Sequence, residues 1–264
     1  MAEITRAERK TRRQALGTIQ KQICQETGNH ISSKALKAAK IHTGLLSLEP
    51  ESTDRPQFFT PYHVDLPNPD KEAEFFATEV ILDDCWNTPY HNAYSLRRFL
   101  SQYSSQCLYF LSDHFPDNLP DSYRYKNVGD FRLGEIHGTR EFVWEVQEAR
   151  DIPVGNCPHL KAMMIDNNMG DHDGLFRGEI WAITQIMIGR LSKKKLHSHV
   201  VAPVLLFSLM GLRHARVLEA HFDGTTLFIR HTPLYDFTHK NTPLVKLFTQ
   251  YWLGGGCGRT TMES

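Results

Sequence analysis

The run VLLFSLM, residues 204–210, is the feature that most limits how this chain can fold. Its odd and even positions are both apolar, so a strand formed by it has two apolar faces. Such a strand lies in the centre of a sheet that other elements cover on both sides. The sequence therefore predicts that Leu206 is buried and that Leu206→Ala costs about 2–5 kcal/mol of stability.

A hairpin is predicted directly after this strand, because Asp223-Gly224 is a typical two-residue turn. With this turn, Phe222 lies opposite Thr225, and one face of the hairpin is apolar. The other face carries Glu219, His221 and Arg230, of which Glu219 and Arg230 are diagonal neighbours that can pair. This polar face is either one wall of a ligand-binding cleft or a plain solvent-facing surface.

Apolar residues at helical spacing predict helices in both halves of the chain. The predicted helices cover residues 3–26, 33–41, 91–112, 175–191 and 242–253. Period-two segments at 130–136 and 140–147 flank a turn at 137–139 and predict a further hairpin. We predict an α+β fold, mostly helical in the N-terminal half, with a mixed β-sheet and flanking helices in the C-terminal half.

Composition predicts four segments along the chain. They are a basic helical arm (1–48), a proline-rich linker (49–70), an α+β globular domain (71–253) and a flexible tail (254–264). The arm has a narrow apolar stripe, so we expect it to be peripheral and its first 26 residues to be dispensable for stability. The glycine-rich GGGCG at 254–258 is interpreted as a helix C-cap followed by the tail.

Charge is unevenly distributed although the formal net charge is zero. The segment RAERKTRR can touch nucleic acid, bind an acidic partner or act as a nuclear signal. The alternative is that this segment is a solvated helix face, or that it docks on the acidic middle of the same chain, residues 51–121. The basic side chains concerned are those of Arg6, Arg9, Lys10, Arg12 and Arg13.

The compartment is predicted to be intracellular, either cytoplasmic or nuclear. Five scattered cysteines without a CxxC pattern indicate reduced thiols. Charged residues stand near the N-terminus where a secretory signal would have its apolar run, and no apolar run approaches the roughly 18 residues that cross a membrane, so we expect no export by the usual route. We therefore expect an unknown protein or small ligand, and no membrane, as the partner.

The spacing of possible metal ligands and nucleophiles matches no complete motif. GxSxG, GxxxxGK[ST] and GxGxxG are all missing from the sequence. His197-Ser198-His199 lies beside three lysines and is interpreted as an exposed loop. Asp171-His172-Asp173-Gly174 lacks the later acidic ligands of a calcium loop, and Asp173 is predicted to cap the next helix. No metal site is predicted.

The segment REFVWEVQEARD, residues 140–151, resembles the metal-binding strand of the PD-(D/E)XK nuclease core. The resemblance covers about residues 124–231 and implies Asp130 and Glu145 as ligands of Mg or Mn, with Gln147 in place of the lysine. The predicted hairpin places Asp130 opposite Val146, so the two carboxylates point to opposite faces unless a bulge shifts the register. We expect no metal-dependent stabilisation.

Residues 176–237, with GEIWAITQIMIGRL and LFIRHTPLYDF, resemble an uncharacterised protein family of filamentous fungi. This resemblance implies lineage and no reaction. The leading hypothesis is a non-catalytic domain that binds a protein or small ligand, associated with a fungal biosynthetic pathway and needing no cofactor. The alternative is a degenerate PD-(D/E)XK metal-dependent phosphodiesterase using Mg or Mn. A third is an accessory enzyme of fungal metabolism that uses the polar hairpin face.

Overall fold

The fold is α+β and is built on one mixed sheet. The computed structural model describes residues 2–77, 88–120, 124–126, 144–152, 156–170 and 174–262. The predicted turn at 137–139, its preceding strand and the Asp171–Asp173 cluster lie outside these residues.

Within the described residues, the main sheet has eight strands in the order β2-β10-β9-β8-β6-β5-β4, with β11 beside β9. β2 runs parallel to β10 and β6 runs parallel to β8, whereas the other pairs are antiparallel. The strands are β2 (Ile41–Leu45), β4 (Arg124–Lys126), β5 (Trp144–Asp151), β6 (Leu160–Asp166), β8 (Val204–Met210), β9 (His214–Phe222), β10 (Leu227–His231) and β11 (Tyr235–Asp236).

In the described part of the chain, two short antiparallel pairs lie outside this sheet. In the first, β1 (His30–Ile31) pairs with β7 (Leu175–Phe176). In the second, β3 (Phe59–Thr60) pairs with β12 (Gly255–Gly256). Both pairs join segments that are far apart in the sequence.

Helices cover both faces of the sheet. They are α1 (Ala2–Cys24), α2 (Ser33–Ala38), α3 (Glu72–Ala77), α4 (Pro89–His114), α5 (Arg177–Ser192) and α6 (Thr242–Leu253). Apolar side chains of α1 and α5 form one core with the first face, and those of α4 and α6 form a second core with the other. We call these the α5 face and the α6 face.

The central strand is as the sequence predicts. All seven residues of β8 are buried, and Leu206 is fully inaccessible to solvent. The last helix also begins and ends where predicted, because the Asn241 side chain accepts the Leu244 N–H at 3.1 Å and Pro243 occupies the first turn.

The start of α5 differs from the prediction. Leu175 and Phe176 pair with β1, so the helix begins at Arg177 rather than at residue 175. The Phe176 N–H donates to the Glu179 carboxylate at 2.8 Å, which satisfies a backbone donor at the start of the helix. The N-cap is therefore Phe176, and the prediction that Asp173 caps this helix is wrong.

The register of the β9–β10 hairpin is also corrected. Phe222 lies opposite Leu227, not Thr225, so the loop has four residues, 223–226. The Asp223 carboxylate accepts the N–H groups of Thr225 and Thr226 at 2.7 and 2.8 Å, and these bonds replace the tight ladder pairing of a two-residue turn. Because the shift is by two residues, the predicted apolar and polar faces are unchanged.

The N-terminal segment belongs to the packed body and is not peripheral. Leu16, Ile19 and Ile23 of α1 are buried in the same core as α5. The helix predicted over 33–41 ends at Ala38, and the chain then enters β2, which is the edge strand beside β10. A separate arm over residues 1–48 does not describe these contacts.

The segment after α6 contributes a strand rather than a loose tail. β12 pairs with β3, and the Thr260 carbonyl accepts the N–H groups of Val200 and Val201 at 2.9 and 3.1 Å. A Cβ atom at Gly254 would lie 1.9 Å from the Thr60 carbonyl oxygen. The backbones approach so closely here that only glycine fits, which gives the GGGCG run a packing role.

Candidate functional site

Three ionisable residues, Lys161, Glu219 and Arg230, lie in a row across the α6 face of the sheet. Leu205 separates Lys161 from Glu219, and Glu219 lies directly opposite Arg230 on the next strand. Lys161 is fully buried and Glu219 is 2% exposed. Burial lowers the pKa of Lys161 well below its usual value, because desolvation disfavours the ammonium form. Its amine donates to the backbone carbonyls of Trp252 and Gly254 at 3.2 and 2.5 Å.

Residues 50–61, which we call the strap, cover the Glu219–Arg230 end of this row. The Phe58 N–H donates to the Glu219 carboxylate at 2.7 Å. The Arg230 guanidinium donates to the same carboxylate and to the Arg55 carbonyl, the latter at 2.9 Å. The Glu219–Arg230 pair thus holds the strap on the sheet.

The predicted ligand-binding residues Glu219, His221 and Arg230 do lie together on one face. His221 stacks on Phe228 with ring centroids 4.9 Å apart, and Phe58 contacts it at the same distance. Burial lowers the pKa of His221, so its ring is neutral at neutral pH. The strap covers this face, which is therefore not a plain solvent-facing surface.

A pocket of about 440 Å³ lies between the strap and α6. Its apolar lining comes from Leu48, Phe59 and Leu247, and its polar groups include Arg55 and Tyr251. Burial raises the pKa of Tyr251 to about 12, so the phenol stays protonated and can donate a hydrogen bond. A volume of this size is within the range of roughly 300–1,000 Å³ that small-molecule sites occupy.

A thiol and an imidazole meet beside the strap. The Sγ atom of Cys157 lies 2.7 Å from Nδ1 of His159, and Nε2 of His159 lies 2.7 Å from the carbonyl oxygen of Cys257. The Phe59 ring contacts His159 at 5.3 Å. Cys-Pro-His before a buried strand was the available sequence signal, because residues two apart in extended chain share a side. The Cys-x-His spacing lies outside the CxxC pattern considered for the cysteines.

The nuclease candidates are only partly described by the structure. Glu145 lies on β5 and accepts a hydrogen bond from the Tyr90 hydroxyl at 3.0 Å. Burial, followed by the bond to Glu145, raises the pKa of Tyr90 to about 12. Gln147 lies at a bulge where the β5–β6 register shifts between Val146 and Glu148. Asp130 lies outside the described residues, so its pairing with Glu145 stays a prediction.

Metal-binding geometry is not found elsewhere in the described part of the chain. Its histidine, cysteine, aspartate and glutamate side chains form no group of three that could hold a metal ion. The absence of a metal effect on stability stays a prediction.

The basic segment of α1 faces inward in part. Arg9 and Arg12 are buried, and Arg12 donates to Glu8 and to the Phe222 carbonyl. Arg13 donates to the Leu191 carbonyl at 2.9 Å. Arg6 and Lys10 are exposed, so nucleic-acid binding through α1 is a prediction that now rests mainly on these two side chains.

No protein-family model matches this chain, and no curated protein or solved structure shows significant similarity to it. The resemblances to the fungal family and to the nuclease core therefore rest on the sequence motifs alone. Among the described helices, none combines the length and apolar character needed to span a bilayer.

Proposed function

We propose that this chain is a binding domain for a small molecule with an apolar body and one anionic group, held in the pocket between the strap and α6. The observation that carries this proposal is the composition of the pocket wall. A cationic side chain, Arg55, and a protonated phenol, Tyr251, line the same cavity as Leu48, Phe59 and Leu247. Arginine pairs well with carboxylate, sulfonate or phosphate groups, and the apolar residues favour a hydrocarbon body.

Hydrogen bonds tie both walls of the pocket to the sheet and to each other. On the sheet side of the strap, Arg230 donates to the Arg55 carbonyl and Glu219 accepts the Phe58 N–H. The Tyr62 N–H donates to the Gln250 carbonyl of α6 at 2.8 Å, which ties the end of the strap to the opposite wall. A preformed site loses less conformational entropy on binding than a mobile one. In this proposal Glu219, His221 and Arg230 support the site and do not contact the ligand.

A fluorescence titration with 8-anilinonaphthalene-1-sulfonate tests the proposal, because this probe has an apolar body and one sulfonate. The folded chain should bind it with saturable fluorescence enhancement. Arg55→Gln should weaken binding about fivefold, since an exposed ion pair contributes roughly 1 kcal/mol.

Arg98→Gln is the matched control, because Arg98 is also exposed and lines a different cavity of about 410 Å³. It should leave the affinity unchanged. Weaker binding in Arg98→Gln, with Arg55→Gln unaffected, would place the probe in the other cavity and contradict the proposal.

A further inference from the structure

The protonation of His159 follows from its two partners. The Cys257 carbonyl can only accept a hydrogen bond, so Nε2 of His159 must carry the hydrogen that it donates. In the neutral ring Nδ1 then carries a lone pair and no hydrogen. The Cys157 thiol, 2.7 Å away, is therefore the donor to Nδ1. This is the arrangement of a nucleophile and a positioned base, with the carbonyl orienting the base.

The backbone around Cys157 is held firmly. The Arg190 guanidinium donates to the Cys157 carbonyl at 2.6 Å and to the Pro158 carbonyl at 2.9 Å. Asn156, directly before Cys157, has a φ of 52°, in the left-handed region that few non-glycine residues adopt. Cys157 itself is partly exposed, and the His159 ring is 3% exposed. The nucleophile is therefore a half-buried residue and its base is a buried one.

We propose that Cys157 and His159 form a nucleophile–base pair and that Cys157 is a reactive thiol towards small carbon electrophiles, such as activated acyl or alkyl groups. In the reaction, His159 Nδ1 takes the thiol proton and the Cys157 sulfur forms a bond to the electrophilic carbon. The bond to the leaving group breaks, and the leaving group departs with its electron pair. The proton on His159 passes to the leaving group or to water. This proposal is independent of the ligand pocket.

Several charged and titratable groups surround the pair. Burial lowers the pKa of His159 most, Arg190, His199 and Lys161 also lower it, and the bond to Cys257 opposes them; the net pKa is about 4. Above about pH 4 the ring is therefore neutral with a lone pair on Nδ1, and because it is a weak base the thiol proton moves to it only as the sulfur attacks the electrophile. The groups that face the pair are Arg190 with its partner Asp151, Lys161, His199 and Cys257, and Glu219 acts on Cys257.

The pH dependence of alkylation distinguishes this pair from an ordinary thiol. A proton that only moves from sulfur to nitrogen leaves the composition of the pair unchanged, so its reactivity should vary less than about twofold between pH 5 and 7, below the pKa at which the thiol loses its proton to solvent. The rate of an ordinary thiol rises about tenfold per pH unit below its pKa, because only the thiolate reacts. Cys24, exposed on α1, provides this reference in the same molecule.

The experiment is alkylation of the reduced full chain with substoichiometric iodoacetamide between pH 5 and 9, with each site quantified by peptide mass spectrometry. We expect the ratio of the Cys157 rate to the Cys24 rate to be at least about fivefold higher at pH 6 than at pH 7, because only the Cys24 rate falls about tenfold over that unit. A Cys157 profile parallel to that of Cys24 would overturn the proposal. This comparison uses the wild-type chain, so no variant needs to fold.

Two variants test whether His159 is the base that takes the proton of the Cys157 thiol. His159→Gln retains an N–H donor for the Cys257 carbonyl and lacks the basic nitrogen, so the pH profile of Cys157 should become that of Cys24. Cys257→Ser keeps the backbone carbonyl and should preserve the wild-type Cys157 rate. An unchanged profile in folded His159→Gln, or loss of reactivity in Cys257→Ser, would contradict the assignment of His159 as the base.

Discussion

At the scale of single residues, the α5 face buries a charged cluster near the start of α5. The Arg216 guanidinium donates to the Glu179 carboxylate through two bonds of 2.8 and 2.5 Å, and both side chains are fully buried. Asp166 is also buried; one of its oxygens accepts the Asn168 N–H at 3.0 Å. Its other oxygen has no hydrogen-bond partner among the described residues.

Asp166 should make the protein less stable as the pH rises. Its pKa is raised to about 7, mainly by burial and in part by Glu179, whereas Asn168 and Arg216 oppose the rise. In the unfolded chain the pKa is about 3.9, so between about pH 4 and 7 only the folded state holds this proton. The contribution of Asp166 to stability is therefore lost as the pH rises through that window.

Asp166→Asn removes this proton while keeping an oxygen for the Asn168 N–H. Urea unfolding at pH 5 and pH 8 should show that the wild type loses roughly 2–4 kcal/mol more than the variant on going to the higher pH. The same pH difference in both proteins would mean that Asp166 does not hold the proton in the folded state.

Pairing at the residue scale was only partly predictable from the sequence. The polar face with Glu219 and Arg230 follows from the period of two, which a register shift of two residues leaves intact. Their direct pairing does not follow, because it depends on how the Asp223 side chain bonds within its own loop. The Cys157–His159 pair depends on Cys257, which is distant in the sequence and brought near by the β3–β12 pairing.

At the scale of elements, α1 closes the end of α5. The Arg9 guanidinium donates hydrogen bonds to four backbone carbonyls at this end, those of Leu191, Lys193, Leu196 and His199. The last carbonyls of a helix have no intrahelical partner and carry the negative end of its dipole. Burial, with the neighbouring Arg13, lowers the pKa of Arg9, which shows that this cation is held inside the protein.

Replacing Arg9 should destabilise the protein much more than replacing its exposed neighbour. Arg9→Met leaves several buried carbonyls without a donor and should cost about 2–3 kcal/mol in urea unfolding. Arg6→Met, on an exposed position of the same helix, should cost less than about 0.5 kcal/mol. Equal costs for the two variants would show that Arg9 acts as a solvated surface charge.

Elements with strong local signals were predicted well, and those fixed by distant partners were not. β8 follows from its apolar run, and α6 from its cap, proline and stripe. In contrast, β2 is short and has four of its five residues at least partly exposed, so only its pairing with β10 makes it a strand. The bulge at Gln147 has no local signal, because its neighbours form an ordinary alternating pattern.

At the scale of the whole molecule, segments from both ends of the chain close the two faces of the sheet. The N-terminal helix packs on the α5 face, and β12 meets β3 of the strap on the α6 face. Proline content marks the strap as extended chain, but extended chain in a linker and extended chain docked on a sheet have the same composition. This is why the sequence indicated a linker where the structure has one wall of a pocket.

Hydrogen–deuterium exchange with and without 8-anilinonaphthalene-1-sulfonate tests the proposed pocket most directly. A ligand that binds only the folded, closed strap must slow the opening of the backbone that surrounds it. If the probe binds between the strap and α6, it should slow exchange in peptides covering residues 50–61 and 247–251, with no change over 95–102. Protection confined to 95–102, or no protection of the strap at saturating probe, would contradict it.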